Sequence, residues 1–175
     1  RIGVITQDGC ATYAAILGIL AHGCAYVPIN SKNPVARNSS VIAEAGISAL
    51  LYDESSDFVH QIADEYGGLC KLLPVSSVRP TQKFPLSVTE LDENSLAYLF
   101  FTSGSTGKPK GVPISHANLN HFMSVMLDCD IYDFEPEDKF LQMFELTFDL
   151  SVMSLFVPLS IGACCYVVPE SKIGA

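Results

Sequence analysis

The stretch YLFFTSGSTGKPKGVPISHANL, Tyr98 to Leu119, passes from apolar residues through glycines, hydroxyls and lysines into a helix-like run. Its centre, TSGSTGKPKG (102–111), holds four hydroxyl residues, three glycines and two lysines directly after the buried-strand pattern AYLFF. Glycines let backbone N–H groups approach an anion closely, and Ser and Thr hydroxyls add donors of short reach. The plain alternative is a solvated Gly/Ser loop. Against it stand the preceding strand and the placement of Lys108 and Lys110 in an otherwise acidic chain. The loop is not a Walker loop: Gly107-Lys108 has Thr102 where the first glycine belongs and Pro109 where a hydroxyl belongs. Gly104 and Gly107 are three apart, which also misses G-x-G-x-x-G.

Outward from this loop, β-branched and aromatic runs alternate with helix-like ones. That is the pattern of an α/β domain with a mostly parallel sheet and flanking helices. Strands are predicted at 2–6, 25–29, 48–53, 69–75, 96–101, 112–114, 139–144 and 163–168. Helices are predicted at 10–23, 33–46, 57–67, 115–128 and 149–161. Pro34 falls in a first helical turn and Gly46 at a helix end. From Ser76 to Asn94 the periodicity fades into a Pro- and Ser-containing connection, read as a surface excursion and a hinge between two sub-sheets.

The chain has 175 residues, 49% hydrophobic and 17% charged, enough for one sizeable core. Its net charge of −9 disfavours nucleic acid and anionic membranes as partners, so any bound phosphate needs a local site. The apolar runs are too short for membrane insertion, and no secretory signal is evident. Cys10, Cys24, Cys70, Cys129, Cys164 and Cys165 form no C-x-x-C pair and read as buried, reduced thiols of a cytoplasmic protein. The chain starts at Arg1 inside a strand-like run and stops soon after another, so both ends read as cuts.

The loop YLFFTSGSTGKPKGV resembles the phosphate-loop signature of the adenylate-forming (AMP-binding) superfamily, which includes acyl- and aryl-CoA synthetases, luciferases and nonribosomal peptide synthetase adenylation domains. LAHGCAYVPIN (20–30) is similar to that family's LKAGGAYVPID, and FDLS (148–151) is similar to its F-D-x-S motif. The resemblance implies that residues 1–175 are part of the large N-terminal domain of such an enzyme, without its C-terminal lid domain. It implies that Thr102, Ser103, Gly104, Ser105, Thr106 and Gly107 hold ATP phosphates, with Lys108 and Lys110 beside them. Lys110 fits the family's P-K-G but equally suits an ion pair that holds the loop. Mg2+ is implied with the ATP, although no ligand for it can be named. Asn30 departs from the family's aspartate.

Asp149 has two readings. As the residue before an apolar helix it is an N-cap, with Leu150 and Met153 as core. By the resemblance, the aspartate of F-D-x-S grips the ammonium of an amino acid. A charged hydrogen bond to a desolvated ammonium is worth roughly 1.5–3 kcal/mol. Phe148, Leu150 and Met153 would then wall the substrate pocket. The run FDLSVMSLF looks closest to the ligases that charge D-alanine onto a carrier protein. The implied reaction is activation of a small amino acid as its adenylate with release of pyrophosphate, then transfer to a carrier-protein phosphopantetheine thiol. No catalytic residue of the family falls within these residues, so the piece alone is expected to be inactive. An acyl- or aryl-CoA synthetase and a noncatalytic nucleotide-binding or interaction module remain alternatives. His116 reads as a first-turn residue after the cap Ser115, His22 as a helix-end residue, and DFEPED (133–138) as a solvated acidic loop.

Overall fold

A computed structural model describes residues 1–7, 9–53, 64, 70–75, 91–103, 108–128, 131–169 and 172–173. The strands are β1 (Ile2–Thr6), β2 (Tyr26–Asn30), β3 (Ala49–Tyr52), β4 (Lys71–Pro74), β5 (Leu96–Ser103), β6 (Pro109–Ser115), β7 (Lys139–Gln142) and β8 (Cys164–Val167). The helices are α1 (Cys10–Ala21), α2 (Val35–Ala45), α3 (His116–Asp128) and α4 (Leu150–Ile161). The helix expected at 57–67 lies, Asp64 apart, outside the described residues.

Six strands form one sheet in the order β4-β3-β1-β2-β5-β6, and β7 and β8 form a second. All neighbouring pairs are parallel except β5 and β6. The mostly parallel α/β architecture expected from the sequence is therefore present. The stretch Ser76 to Asn94, however, does not divide two sub-sheets, because β4 and β5 on either side of it belong to the same six-stranded sheet. Strand order is set by crossovers, which the composition of a connecting segment does not encode.

Alternate residues of each central strand feed opposite cores, as the two-residue period of a strand requires. Val4, Tyr26, Tyr98 and Phe100 pack with Ile16 and Ile19 of α1, Leu119 of α3, and Val152 and Leu155 of α4. Ile5, Val27, Ile29 and Leu99 pack on the other face with Val41, Ile42 and Ala45 of α2. Coverage on both faces is why β2 is buried at all five positions.

Local signals place the turns. Gly46 ends α2 at φ +60, and the N–H groups of Gly46 and Ile47 donate to the carbonyls of Ala43 (3.1 Å) and Ile42 (3.3 Å). That is the left-handed glycine closure of a helix. Ser115 caps α3: its Oγ accepts the N–H of Asn118 at 3.2 Å, and the Asn118 Oδ1 accepts the N–H of Ser115 at 3.1 Å. The pair is a capping box with asparagine in the glutamate position.

The sequence placed the opening loop at 102–111; the structure shortens it. Thr102 pairs with Lys110 and Ser103 with Pro109, so both flanks are strand. Threonine suits a strand, and cross-strand pairing outweighs the glycine-rich composition nearby. The expectation of buried thiols also needs correction. Cys10 and Cys164 are exposed, because one opens α1 and the other lies on a strand of the small sheet. Burial pushes the Cys70 and Cys165 thiols up, which keeps them protonated. Cys129 lies outside the described residues.

Candidate functional site

The site forms where two neighbouring strands part. β2 and β5 pair only at Tyr26 and Tyr98. Two residues further on, Pro28 has no N–H to give to a ladder. Beyond that point the carboxyl ends of β2 and β5 flank a cavity of about 510 Å³. Clefts outside the carboxyl ends of parallel strands are where open α/β sheets bind ligands.

One wall carries Pro28, Ile29 and Asn30 from β2, with Asn33, Arg37 and Asn38 at and within the start of α2. The facing wall carries Phe100, Phe101, Thr102 and Ser103 from β5. The segment between β7 and α4 contributes Glu145, Thr147, Phe148 and Asp149. Tyr98 and Phe100 also line the cavity, and both belong to an aromatic cluster with Tyr26. The Tyr98 and Phe100 ring centroids are 4.5 Å apart, and Tyr26 lies 5.4 Å from Tyr98. These rings make the cavity's base stiff and apolar.

The geometry of Asp149 separates its two readings. It stands at the N-cap position of α4, yet its backbone is helical (φ −61, ψ −27) and its side chain makes no cap hydrogen bond. A capping aspartate normally adopts an extended backbone and spends its oxygen on the helix. Here the first turn is closed by main chain: the Ser151 N–H donates to the carbonyl of Phe148 at 3.1 Å, a carbonyl that also accepts the Ser151 Oγ–H at 2.6 Å. The Val152 N–H donates to the carbonyl of Asp149 at 2.9 Å. Asp149 is exposed and is one of the residues that line the cavity. Burial first, and the negative charge of Asp149 second, push the Tyr98 phenol up.

The structure brings together four of the sequence-predicted site residues, Thr102, Ser103, Phe148 and Asp149. Phe148 is 60% exposed at the cavity wall. Leu150 and Met153 are not brought into this cavity; Leu150 is 58% exposed and Met153 half-buried on α4. Leu150, one residue on, is turned by about 100° from Asp149. Lys108 and Lys110 are exposed and also outside the lining. Gly104, Ser105, Thr106 and Gly107 lie outside the described residues.

Sequence reasoning missed Arg37 and Glu145, which line the cavity. For Arg37 no local signal existed. For Glu145 the signal was indirect: the asparagine at position 30 is its hydrogen-bond partner, at 2.9 Å. His116 is half-buried, and its backbone N–H donates to Ser95 at 2.9 Å. His22 occupies the C-cap of α1, as its place in the sequence suggested.

Thr102 and Ser103 at the end of β5 and Asp149 before α4 line one cavity of a mostly parallel α/β domain. Residues 1–173 match the family model described as AMP-binding enzyme, and the chain belongs to that family. It is 35% identical over 179 residues to the pyochelin synthetase PchF of Pseudomonas aeruginosa, covering 100% of this chain and 9% of that protein. It is 34% identical over 165 residues to the hybrid PKS-NRPS synthetase pyvA of Aspergillus violaceofuscus, covering 93% of this chain and 4% of that protein. The chain therefore spans only a small part of the relatives it matches. Among solved structures, the nonribosomal peptide synthetase FmoA3 in its AMPPNP-bound form superposes with a TM-score of 0.79 at 29% identity, covering 99% of this chain and 18% of that one. Its form bound to alpha-methyl-L-serine-AMP gives 0.78, covering 95% of this chain and 18% of that one. No described helix is long and apolar enough to cross a membrane.

Proposed function

We propose that the chain is part of the N-terminal domain of an enzyme that activates a small amino acid, D-alanine foremost, as its adenylate with release of pyrophosphate. The aminoacyl group then passes to the phosphopantetheine thiol of a carrier protein. The observation that carries this reading is that one cavity holds both Asp149, whose carboxylate is not spent on the helix, and Thr102 and Ser103, which open the Gly- and hydroxyl-rich loop. The AMPPNP and aminoacyl-adenylate complexes of the related FmoA3 support ATP as the co-substrate.

In this reading Asp149 binds the substrate ammonium and turns the amino acid so that its carboxylate faces Thr102 and Ser103. The aromatic base at Tyr98 and Phe100 excludes water, which strengthens the charged contact. The Thr102 and Ser103 hydroxyls orient the nucleotide phosphates. The catalytic work of these residues is positioning and charge neutralisation, which is most of what phosphoryl chemistry asks of a protein. The described residues hold no group of three or more acidic, His or Cys side chains that could grip a metal. Mg2+ would enter with the ATP, since it usually needs only one or two carboxylates besides substrate phosphates, and there it would neutralise charge.

The test is ATP–pyrophosphate exchange by the intact protein that carries this chain, with D-alanine, L-alanine, glycine, larger amino acids and a fatty acid, repeated with Asp149→Ala. Exchange driven by one small amino acid and lost on substitution is the expected result. Exchange driven by a fatty or aryl acid and indifferent to Asp149 overturns the substrate assignment. No exchange with any substrate points to a noncatalytic module.

A further inference from the structure

The hydrogen bond between Asn30 and Glu145 ties the end of β2 to the segment before α4, across 115 positions of the chain. Both residues line the cavity that holds Asp149. We propose that Asn30 and Glu145 act together as a latch that sets the position of the Phe148–Asp149 turn, and through it the affinity for the amino acid. This inference rests on the amino-acid reading above, and neither residue is taken to touch the substrate.

The orientation of Asn30 is over-determined. Its side chain is 8% exposed. Its Oδ1 accepts the N–H of Lys32 at 2.9 Å, and its backbone carbonyl accepts the Asn38 Nδ2 at 2.9 Å. With Oδ1 committed to a backbone donor, Nδ2 is the atom left to face Glu145, and it donates to Glu145 Oε2 at 2.9 Å. The same Oε2 accepts the Thr147 hydroxyl at 3.4 Å. The Phe148 N–H donates to the Glu145 carbonyl at 2.9 Å, which closes the turn leading into Asp149. Holding Glu145 therefore holds the turn.

The departure noted at position 30 follows from this pairing. An aspartate there would keep the acceptor for Lys32 but place a second carboxylate oxygen where Nδ2 now stands. Two carboxylates that share a site repel, and the amide donor of the present hydrogen bond is lost. With glutamate at 145, position 30 needs a donor.

The experiment compares wild type, Asn30→Asp, Glu145→Gln and the double swap in the intact protein. It reads KM and kcat for amino-acid-dependent exchange, and the hydrogen exchange of the Phe148 amide. Asn30→Asp is expected to raise the amino-acid KM about tenfold while leaving the ATP KM within about twofold, and to speed Phe148 amide exchange about tenfold. Glu145→Gln keeps an acceptor for Asn30 and stays within about threefold of wild type. The double swap, which reverses donor and acceptor between the two positions, returns both readouts to within about threefold. The latch is overturned by an unchanged Asn30→Asp protein or by a double swap as impaired as Asn30→Asp. A Glu145→Gln protein more impaired than Asn30→Asp also overturns it, since Glu145 would then be meeting substrate charge itself. Absence of amino-acid-dependent exchange in wild type refutes the functional reading, and Phe148 amide exchange then decides the latch alone.

Discussion

The two walls of the cleft are built differently. β2 is buried along its whole length, with helices over both faces and β1 pairing at all five positions. The facing wall ends in the β5–β6 hairpin, where Thr102 and Ser103 are exposed and β6 is exposed from Lys110 to Pro113. Among the described residues β6 is an edge strand with β5 as its neighbour, so its register rests on that pairing. One wall serves as a fixed reference, and the other presents polar groups at a solvent-facing rim. The anchor for the proposed ammonium stands between them, on the segment leading from the small sheet into α4.

Substitutions should separate these walls. The largest expected effect is on β2, where Ile29 is 1% exposed: Ile29→Ala should cost about 2–5 kcal/mol by cavity formation, read as the denaturant midpoint of the intact protein. A cost below that of a surface substitution would mean that the β2 wall is not the fixed one. Asp149→Ala should leave stability nearly unchanged, since it removes no cap bond, but lower kcat/KM for the amino acid by roughly 1.5–3 kcal/mol of transition-state energy, or about 10- to 150-fold. If its main effect is on the melting temperature, the carboxylate belongs to the helix after all.

Smaller effects belong to the hairpin side. Ser115→Ala should cost about 1 kcal/mol through loss of the α3 cap. Val112→Ala, at an edge position 42% exposed, should stay within about 0.5 kcal/mol. Similar losses at Val112 and Ile29 would erase the contrast between the walls.

The two tyrosines sharpen the contrast under alkaline conditions. Burial pushes the Tyr26 phenol far above its ordinary 10.0, with Tyr98 adding to the shift. Tyr98 on β5 is raised by burial and then by Asp149. In both, the unfolded chain releases its proton from about pH 10 while the folded chain retains it. Their stabilisation is whole below pH 10 and declines as the pH rises. Tyr26→Phe should flatten that decline more than Tyr98→Phe, measured as denaturant midpoints between neutral pH and about pH 11.

Local sequence signals settled the strand and helix succession among the described residues, the glycine closure at Gly46 and the cap at Ser115. These rest on periodicity, backbone freedom and hydroxyl chemistry within a few residues of one another. The sequence also singled out Asp149, but it left the N-cap and substrate-anchor readings open, because both place an aspartate before an apolar helix. That Asp149 makes no side-chain cap bond to α4 emerges only from the fold, since it depends on a backbone angle and on main-chain closure of the first turn. The tertiary structure also extended strand pairing to Thr102 and Ser103, gathered β4 and β5 into one sheet, and opened the cleft beyond Tyr26 and Tyr98. It placed Glu145 against Asn30. Such contacts join residues up to 115 positions apart, and no local pattern of side chains specifies which distant groups share a sheet's rim.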